Sequence, residues 1–144
     1  MRTMPNPDAP GRTAVAEWPD TLRVSMSADG GHVRLFRRKL SQWLSGDHLQ
    51  ADVVDDLVMA TSEALENCCD HAYSGGHGAG TMTLTASQAD DRLVITVADD
   101  GSWQLEGAET GHRGRGLTMM RELVDDVAIE VGPGGTSLAL TRYV

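Results

Sequence analysis

A long helical repeat of apolar side chains, between Ala51 and Ala72, constrains the fold of this chain more than any other feature. The repeat predicts an amphipathic helix of about six turns, with one apolar side directed at a core. Such a helix is typical of domains in which helices pack on a sheet or on each other. The apolar side consists of Val54, Leu57, Val58, Thr61, Leu65 and Cys68.

Shorter periodic patterns flank this helix and predict five strands and two further helices. In the strands, apolar and polar residues alternate, and turns rich in aspartate or glycine separate neighbouring strands. The predicted strands are 21–27, 81–87, 93–98, 127–131 and 136–143, and the other predicted helices are 28–45 and 117–124. This order predicts the α+β class, as a two-layer sandwich with about three helices on one face of a mixed, mainly antiparallel sheet.

The chain length of 144 residues suits one globular domain, which we expect at residues 21–144 behind a disordered lead at residues 1–20. The lead has no apolar run, so we expect no signal peptide, no membrane partner and a cytoplasmic location. A net charge of −9 argues against direct nucleic-acid binding, because affinity for a phosphate backbone depends on clustered basic residues.

The polar side of the long helix carries the first candidate site, since Glu63, Asn67, Asp70 and His71 fall within roughly one quadrant. A solvated outer face explains the charged residues equally well. Asn67 favours a site, because asparagine is a poor residue within a helix and its amide oxygen suits a Mg²⁺ already surrounded by phosphate oxygens. Glu63 would then lie near the terminal phosphate, where it can accept a proton from a hydroxyl or orient water.

Two glycine-containing motifs follow the helix. Asp99-Asp100-Gly101 ends a strand, and taken alone it is explained at least as well by a simple turn. Gly114-Arg115-Gly116-Leu117 opens a predicted helix, where backbone amides and the positive helix end can hold phosphate. The segment between them is predicted to be a mobile loop. No P-loop is present, and Lys39 is the sole lysine, so ATP chemistry here requires another kind of cradle.

Other chemistry has less support in the sequence. His71, His77 and Asp70 do not have the spacing of a closed zinc site. The adjacent Cys68 and Cys69 would point to different sides of a helix, so we expect core residues rather than a disulfide or a nucleophile.

Together the motifs resemble the GHKL ATPase superfamily, which includes gyrase, heat-shock chaperones, histidine kinases and mismatch-repair proteins. The resemblance rests on Glu63 and Asn67 followed by His71-Ala72-Tyr73, then Asp99-Asp100-Gly101, the glycine-flanked helix start, and Gly134-Gly135-Thr136. Within the superfamily, the chain is most similar to the anti-sigma-factor serine/threonine kinases of the RsbW type. The resemblance covers about residues 21–143.

This resemblance implies a Bergerat-type ATP-binding fold that binds ATP with Mg²⁺. It implies that Asn67 contacts the metal, that Glu63 is the general base, and that Asp99 reads the adenine amino group with support from Thr136. Either Arg113 or Arg115 would supply the cation of the flexible lid. The ATP-binding residues implied are Asn67, Asp70, His71, Asp99, Gly101, Arg113, Gly114, Arg115, Gly116, Leu117 and Thr136.

The resemblance also implies a function: the protein would sequester a sigma factor and phosphorylate a serine or threonine of a STAS-type anti-anti-sigma partner, acting as a homodimer. The chain departs from the family pattern at Trp103, which stands where the second loop glycine is usual. Two alternatives stay open. The chain can be a noncatalytic regulator-binding module of the same fold, or a histidine-kinase catalytic domain separated from its phosphoacceptor.

Overall fold

The computed structural model describes residues 21–45, 49–74, 80–100 and 115–144, and for residues 71–74 and 115 it describes the backbone alone. The predicted lead at residues 1–20 and the predicted loop at residues 101–114 lie outside the described residues. In chain order the elements are β1 (Leu22–Ser27), α1 (Gly30–Leu44), α2 (Ala51–Ser74), β2 (Thr81–Ala89), β3 (Arg92–Asp99), α3 (Arg115–Leu123), β4 (Asp126–Gly132) and β5 (Gly135–Tyr143).

The described strands form one five-stranded sheet in the order β1-β2-β3-β5-β4. Each of the four pairings between neighbouring strands is antiparallel, whereas the sequence prediction allowed for a mixed sheet. Strand β5 therefore lies between β3 and β4, and its first half meets the last residues of β3. This register places Thr136 directly opposite Asp99 at one end of the sheet.

The core lies between the sheet and the helices, because alternate side chains of each strand point to the helix layer. Leu84, Ile95 and Leu138 are fully buried on this face. Helix α2 is central in the helix layer and contacts α1, α3, β3 and β5. The predicted α+β two-layer sandwich is thus confirmed. In the described part of the chain, no helix is long and apolar enough to span a membrane.

Polar contacts fix the ends of the outer helices. The Asp29 carboxylate accepts a hydrogen bond of 2.8 Å from the Gly31 amide, which caps the start of α1 where the sequence predicted a helix start. Arg142 of β5 donates a hydrogen bond of 2.8 Å to the Leu123 carbonyl at the end of α3. Because Arg142 also forms an ion pair with Asp56 of α2, one side chain joins β5 to both helices.

The predicted element boundaries are correct to within a few residues. Helix α3 begins at Arg115, two residues before the prediction, because Arg115 and Gly116 form part of its first turn. Strands β2 and β3 extend to a two-residue turn at Asp90-Asp91, where Asp90 has a φ of 55°. Aspartate is one of the few residues that tolerate this left-handed conformation.

Candidate functional site

The start of α3 lies directly against the polar side of α2. A Cβ atom at Gly116 would lie 2.6 Å from the Glu63 Oε2 atom and 3.8 Å from the Asn67 Nδ2 atom. Any other residue at this position would force the Glu63 carboxylate to move. The structure therefore brings together two motifs that are about fifty residues apart in sequence. We call Glu63, Asn67 and Gly116 the helix-start cluster.

The side of α2 that carries Asn67 is buried, which decides one of the questions that the sequence left open. Asn67 is only 5% exposed, and Ala60 and Ala64, at helical spacing before it, are fully buried. Helix α3 packs against α2, and Gly116 of α3 lies next to Asn67. A solvated outer face thus fails to explain Asn67, although it fits the exposed Asp70. The half-buried Glu63 lies at the boundary between the two environments.

The next residue of α2 is affected by the end of β3. Cys68 is fully buried. Burial, and then the negative charge of Asp99, raise the pKa of the Cys68 thiol far above its ordinary value, so the thiol keeps its proton. Sequence reasoning assigned Cys68 only to the core and missed the influence of Asp99 on its thiol.

Asp99 is also enclosed from the side of β5. Thr136, opposite Asp99 in the sheet, is only 2% exposed. At the neighbouring Gly135, which has a φ of 140°, a Cβ atom would lie 2.0 Å from the Asp99 carbonyl oxygen. Only glycine allows both this conformation and this close approach. We call Cys68, Asp99, Gly135 and Thr136 the strand-end cluster.

The two successive aspartates of the Asp99-Asp100-Gly101 motif have different surroundings. The carboxylate of Asp100 accepts a hydrogen bond of 3.0 Å from the Thr81 amide at the start of β2. It also packs so closely on Gly80 that a Cβ there would lie 2.1 Å from the Asp100 Oδ1 atom. Asp100 therefore holds the end of the sheet together, and Asp99 is the carboxylate that belongs to the candidate site.

A hollow opens beside the strand-end cluster, at the hairpin between β4 and β5. Its lining includes Asp99, Thr136 and Val131, and Val131 lies opposite Thr136 in the sheet. Val131 is 45% exposed, which is unusual for a β-branched residue on the helix side of a sheet. An apolar wall next to a carboxylate and a hydroxyl is suited to a flat ligand with one polar edge.

The remaining predicted site residues have different outcomes. Gly101, Arg113 and Gly114 lie outside the described residues, and the side chains of His71 and Arg115 are not described. Leu117 is buried in the core, so its side chain supports α3. Among the described residues, no group of three histidine, cysteine, aspartate or glutamate side chains is arranged to hold a metal ion. His77 and the side chain of His71 lie outside the described part of the chain, so the zinc alternative is not tested.

The donor chemistry of the helix-start cluster suits Mg²⁺ together with phosphate. Asn67 offers one neutral amide oxygen, and Mg²⁺ usually takes one or two protein ligands when phosphate oxygens and water supply the others. Gly116 is buried in the first turn of α3, at the positive end of the helix, where anions are stabilised.

The sequence profile of the histidine kinase-like ATPase domain matches residues 26–142, which is nearly all of the folded part described above. The chain belongs to this family, a class of nucleotide-binding domains.

Within the family, the chain is similar to anti-sigma-type serine kinases. It is 27% identical to the serine-protein kinase RsbW of Bacillus licheniformis, and the match covers 87% of this chain and 86% of that protein. It is 32% identical to the anti-sigma F factor of Caldanaerobacter subterraneus subsp. tengcongensis, over 63% of this chain and 71% of that protein. The resemblance to the RsbW type that the motifs indicated is confirmed.

Solved structures agree with this assignment. A crystal structure of the RsbU and RsbW domains of a Mycobacterium tuberculosis protein superimposes with a TM-score of 0.69 and 28% identity. The match covers 87% of this chain and 32% of that one, so the chain spans about a third of that protein. The histidine kinase domain of a blue-light activated histidine kinase from Erythrobacter litoralis has a TM-score of 0.58 at 18% identity, over 90% of this chain and 65% of that one, and supports the fold alone.

Proposed function

We propose that this protein is an anti-sigma factor with ATP-dependent protein serine/threonine kinase activity, which sequesters a sigma factor and phosphorylates a STAS-type anti-anti-sigma partner. The observation that carries the proposal is the close approach of Gly116 to Glu63 and Asn67. A Cβ atom at Gly116 would lie 2.6 Å from the Glu63 Oε2 atom and 3.8 Å from the Asn67 Nδ2 atom. It places a carboxylate and an amide at a helix start, where phosphate is favoured. The relatives named as serine-protein kinases support the same reaction.

We assign metal binding and proton transfer to the helix-start cluster. Asn67 would hold Mg²⁺ through its amide oxygen, and the Gly116 backbone would face the phosphates. Glu63 would accept the proton of the partner's serine or threonine hydroxyl as that oxygen attacks the terminal phosphate. Most of the catalytic effect would come from positioning and electrostatic stabilisation, as is usual for phosphoryl transfer.

In the strand-end cluster we assign recognition of the adenine base. The Asp99 carboxylate would accept a hydrogen bond from the exocyclic amino group, with Thr136 supporting that contact. Val131 lies opposite Thr136 in the sheet and lines the same hollow as Asp99, and its exposed apolar surface suits the face of a purine. Further ATP contacts stay predictions at Asp70, His71, Gly101 and Gly114. Arg113 or Arg115 is predicted to supply the cation of the lid, and Leu117 is predicted to contact ATP through its backbone.

A homodimer is part of the proposal, and the outer face of the sheet is the surface that suits it. Thr85, Thr96 and Ala139 are neighbours across β2, β3 and β5 on this face, and no described helix covers them. Two copies of a chain with a net charge of −9 repel each other, so a contact between them favours a surface without charges. The outward residues in the middle of these three strands are uncharged: Thr83, Thr85, Ser87, Val94, Thr96, Ala98, Ser137, Ala139 and Thr141.

Sedimentation of Thr96→Arg against Thr96→Ser tests the dimer. We expect the wild type and the serine variant to sediment with the mass of two chains, and the arginine variant with the mass of one. A dimer that survives the arginine would place the contact on another surface. A cytoplasmic location and the domain limits at residues 21–144 remain predictions of this proposal.

Incubation with radiolabelled ATP and candidate STAS proteins tests the reaction. Phosphate on a serine or threonine of the partner supports the kinase. Sigma-factor binding without any phosphate transfer would select the noncatalytic binding module, and phosphohistidine on a separate protein would select the histidine-kinase domain. The matched controls are Glu63→Gln, which should stop transfer, and Glu66→Gln, a half-buried glutamate of the same helix to which the site assigns no role.

A further inference from the structure

Arg142 is a charged residue at the end of an otherwise apolar row of β5. The helix-side residues before it, Leu138 and Leu140, are fully buried. Arg142 follows them in the same row and lies opposite the buried Leu93 of β3, so its side chain also points to the helix layer. The side chain is 27% exposed. A guanidinium that is mostly removed from water needs polar partners, and both α2 and α3 supply one.

The first partner of Arg142 is the last turn of α3. Its Nη1 atom donates a hydrogen bond of 2.8 Å to the Leu123 carbonyl oxygen. The last carbonyls of a helix have no partner within the helix and lie at its negative end, so a cation stabilises them. Just after the helix, the Asp125 amide donates a hydrogen bond of 2.8 Å to the Thr141 carbonyl. The C-terminal end of α3 is therefore attached to β5.

The second partner of Arg142 is Asp56 of α2. The same Nη1 atom lies 3.7 Å from the Asp56 Oδ2 atom, so Arg142 extends the attachment of α3 from β5 to α2. Both side chains are partly exposed, and the ion pair itself contributes little to the free energy of unfolding. Its consequence is geometric, because it fixes the part of α2 that the end of α3 faces.

The two ends of α3 meet the same side of α2. Asp56 and Glu63 are about two turns apart on α2, a spacing that places both side chains on one side of the helix. Gly116 and Leu123 are also about two turns apart on α3. The start of α3 lies against Glu63, and its end is held to Asp56, so the two helices run antiparallel. Because each span is about 10 Å long, a shift at the end of α3 moves its start as well.

We propose that Arg142 is a positioning residue for phosphoryl transfer, which sets the distance between the start of α3 and the Glu63 carboxylate by holding the end of α3 to α2. This inference rests on the proposed function, since it needs Glu63 as the general base and Gly116 at the phosphates. It gives a role to a residue outside both clusters that neither the motifs nor the family resemblance assigned. A small movement of α3 is enough, because a misplacement of about 1 Å can lower a rate about a hundredfold.

The test is the single-turnover rate of transfer to the STAS protein that the wild type phosphorylates, at saturating ATP with Mg²⁺. We expect Arg142→Ala to lower this rate about tenfold through misplacement of Glu63, and to lower ATP affinity in calorimetry by less than about threefold, because the strand-end cluster is unchanged. Arg142→Lys keeps a cation and a donor, and should restore most of the rate.

Arg92→Ala is the matched control for the loss of an arginine at this end of the sheet. Arg92 lies opposite Tyr143 in the neighbouring strand, and its guanidinium is 5.9 Å from the centre of the Tyr143 ring. We expect this variant to transfer phosphate at the rate of the wild type. A loss equal to that of Arg142→Ala would overturn the inference.

A double-mutant cycle separates positioning from a general loss of stability. If Arg142 acts through Glu63, Arg142→Ala should cost less than about a further twofold once Glu63→Gln has removed the base. Losses that multiply would overturn the inference, as would an unchanged rate in Arg142→Ala. If Arg142→Ala does not fold, Arg142→Met keeps the apolar stem without the donor and takes its place in the cycle. Wild-type protein that transfers no phosphate would overturn the proposed function itself, and the two failures are therefore distinguishable.

Discussion

The helix-start cluster and the strand-end cluster are adjacent on α2, through Asn67 and Cys68, but their parts are held in different ways. In the helix-start cluster, a long side chain, Glu63, meets the backbone at Gly116. In the strand-end cluster, Asp99 is held by the sheet register and by the close packing of Gly135 on its backbone. A flexible carboxylate can follow a reacting group, whereas a restrained one can discriminate between bases. The difference fits a division between reaction at one cluster and recognition at the other.

The largest expected effect separates reaction from binding. Glu63→Gln should lower phosphoryl transfer about a hundred- to ten-thousand-fold, because a general base contributes about that much. Nucleotide affinity should stay close to that of the wild type, since glutamine keeps the size of the side chain. Single-turnover transfer and calorimetry measure the two quantities. Transfer within a few-fold of wild type would place the base elsewhere.

The next effect concerns the metal. Asn67→Ala should weaken Mg²⁺-dependent ATP binding by more than about a hundredfold, since loss of an outer-shell partner alone typically costs about 10–100-fold. Binding measured with excess chelator should barely differ between variant and wild type, which is the control for damage to the fold. Equal Mg²⁺ dependence in both proteins would remove Asn67 from the metal site.

The glycines of the two clusters, Gly116 and Gly135, should fail in opposite ways. Gly116→Ala meets the movable end of Glu63, so we expect a folded protein whose transfer rate falls up to about a hundredfold through misplacement of the carboxylate. Gly135→Ala meets backbone atoms of Asp99 at a φ of 140°, so the fold itself should lose stability, by about 1–3 kcal/mol or more. Denaturant unfolding and transfer assays on both variants check this contrast. Equal stability of the two variants would contradict it.

The smallest expected effect separates neighbouring aspartates. Asp99→Asn should weaken ATP binding about tenfold, because the adenine amino group would lose a charged acceptor. Asp100→Asn should leave ATP affinity nearly unchanged and cost only about 1 kcal/mol of stability, since its carboxylate bonds the Thr81 amide. ATP affinities that fall equally in both variants would mean that the motif acts as a unit rather than through Asp99.

Much of the fold was accessible from periodicity. The apolar repeat of the long helix and the alternation of the strands predicted α2 and the two hairpins closely, because both patterns reflect local burial. The same patterns could not identify the buried stripe of Ala60, Ala64 and Asn67. Its member Asn67 lies next to Gly116 of α3, and a contact between helices that are distant in sequence leaves no periodic signal.

The candidate site was predictable to a smaller extent. The polar side of the helix indicated Glu63 and Asn67, and the family resemblance selected Asp99 over Asp100. Only the structure explains why Asp99 rather than Asp100 belongs to the candidate site, since successive side chains of a strand point to opposite faces. The influence of Asp99 on the buried Cys68 thiol depends on how α2 packs against β3, and the sequence has no local signature for such packing.

The central claim is that one nucleotide lies across both clusters of α2. A crystal structure of this protein with Mg²⁺ and a nonhydrolysable ATP analogue tests it most directly. The account predicts the metal on the Asn67 amide oxygen, the phosphates at the Gly116 backbone, and the adenine amino group on the Asp99 carboxylate. A nucleotide that is bound away from Asp99, or a metal without Asn67, would contradict it.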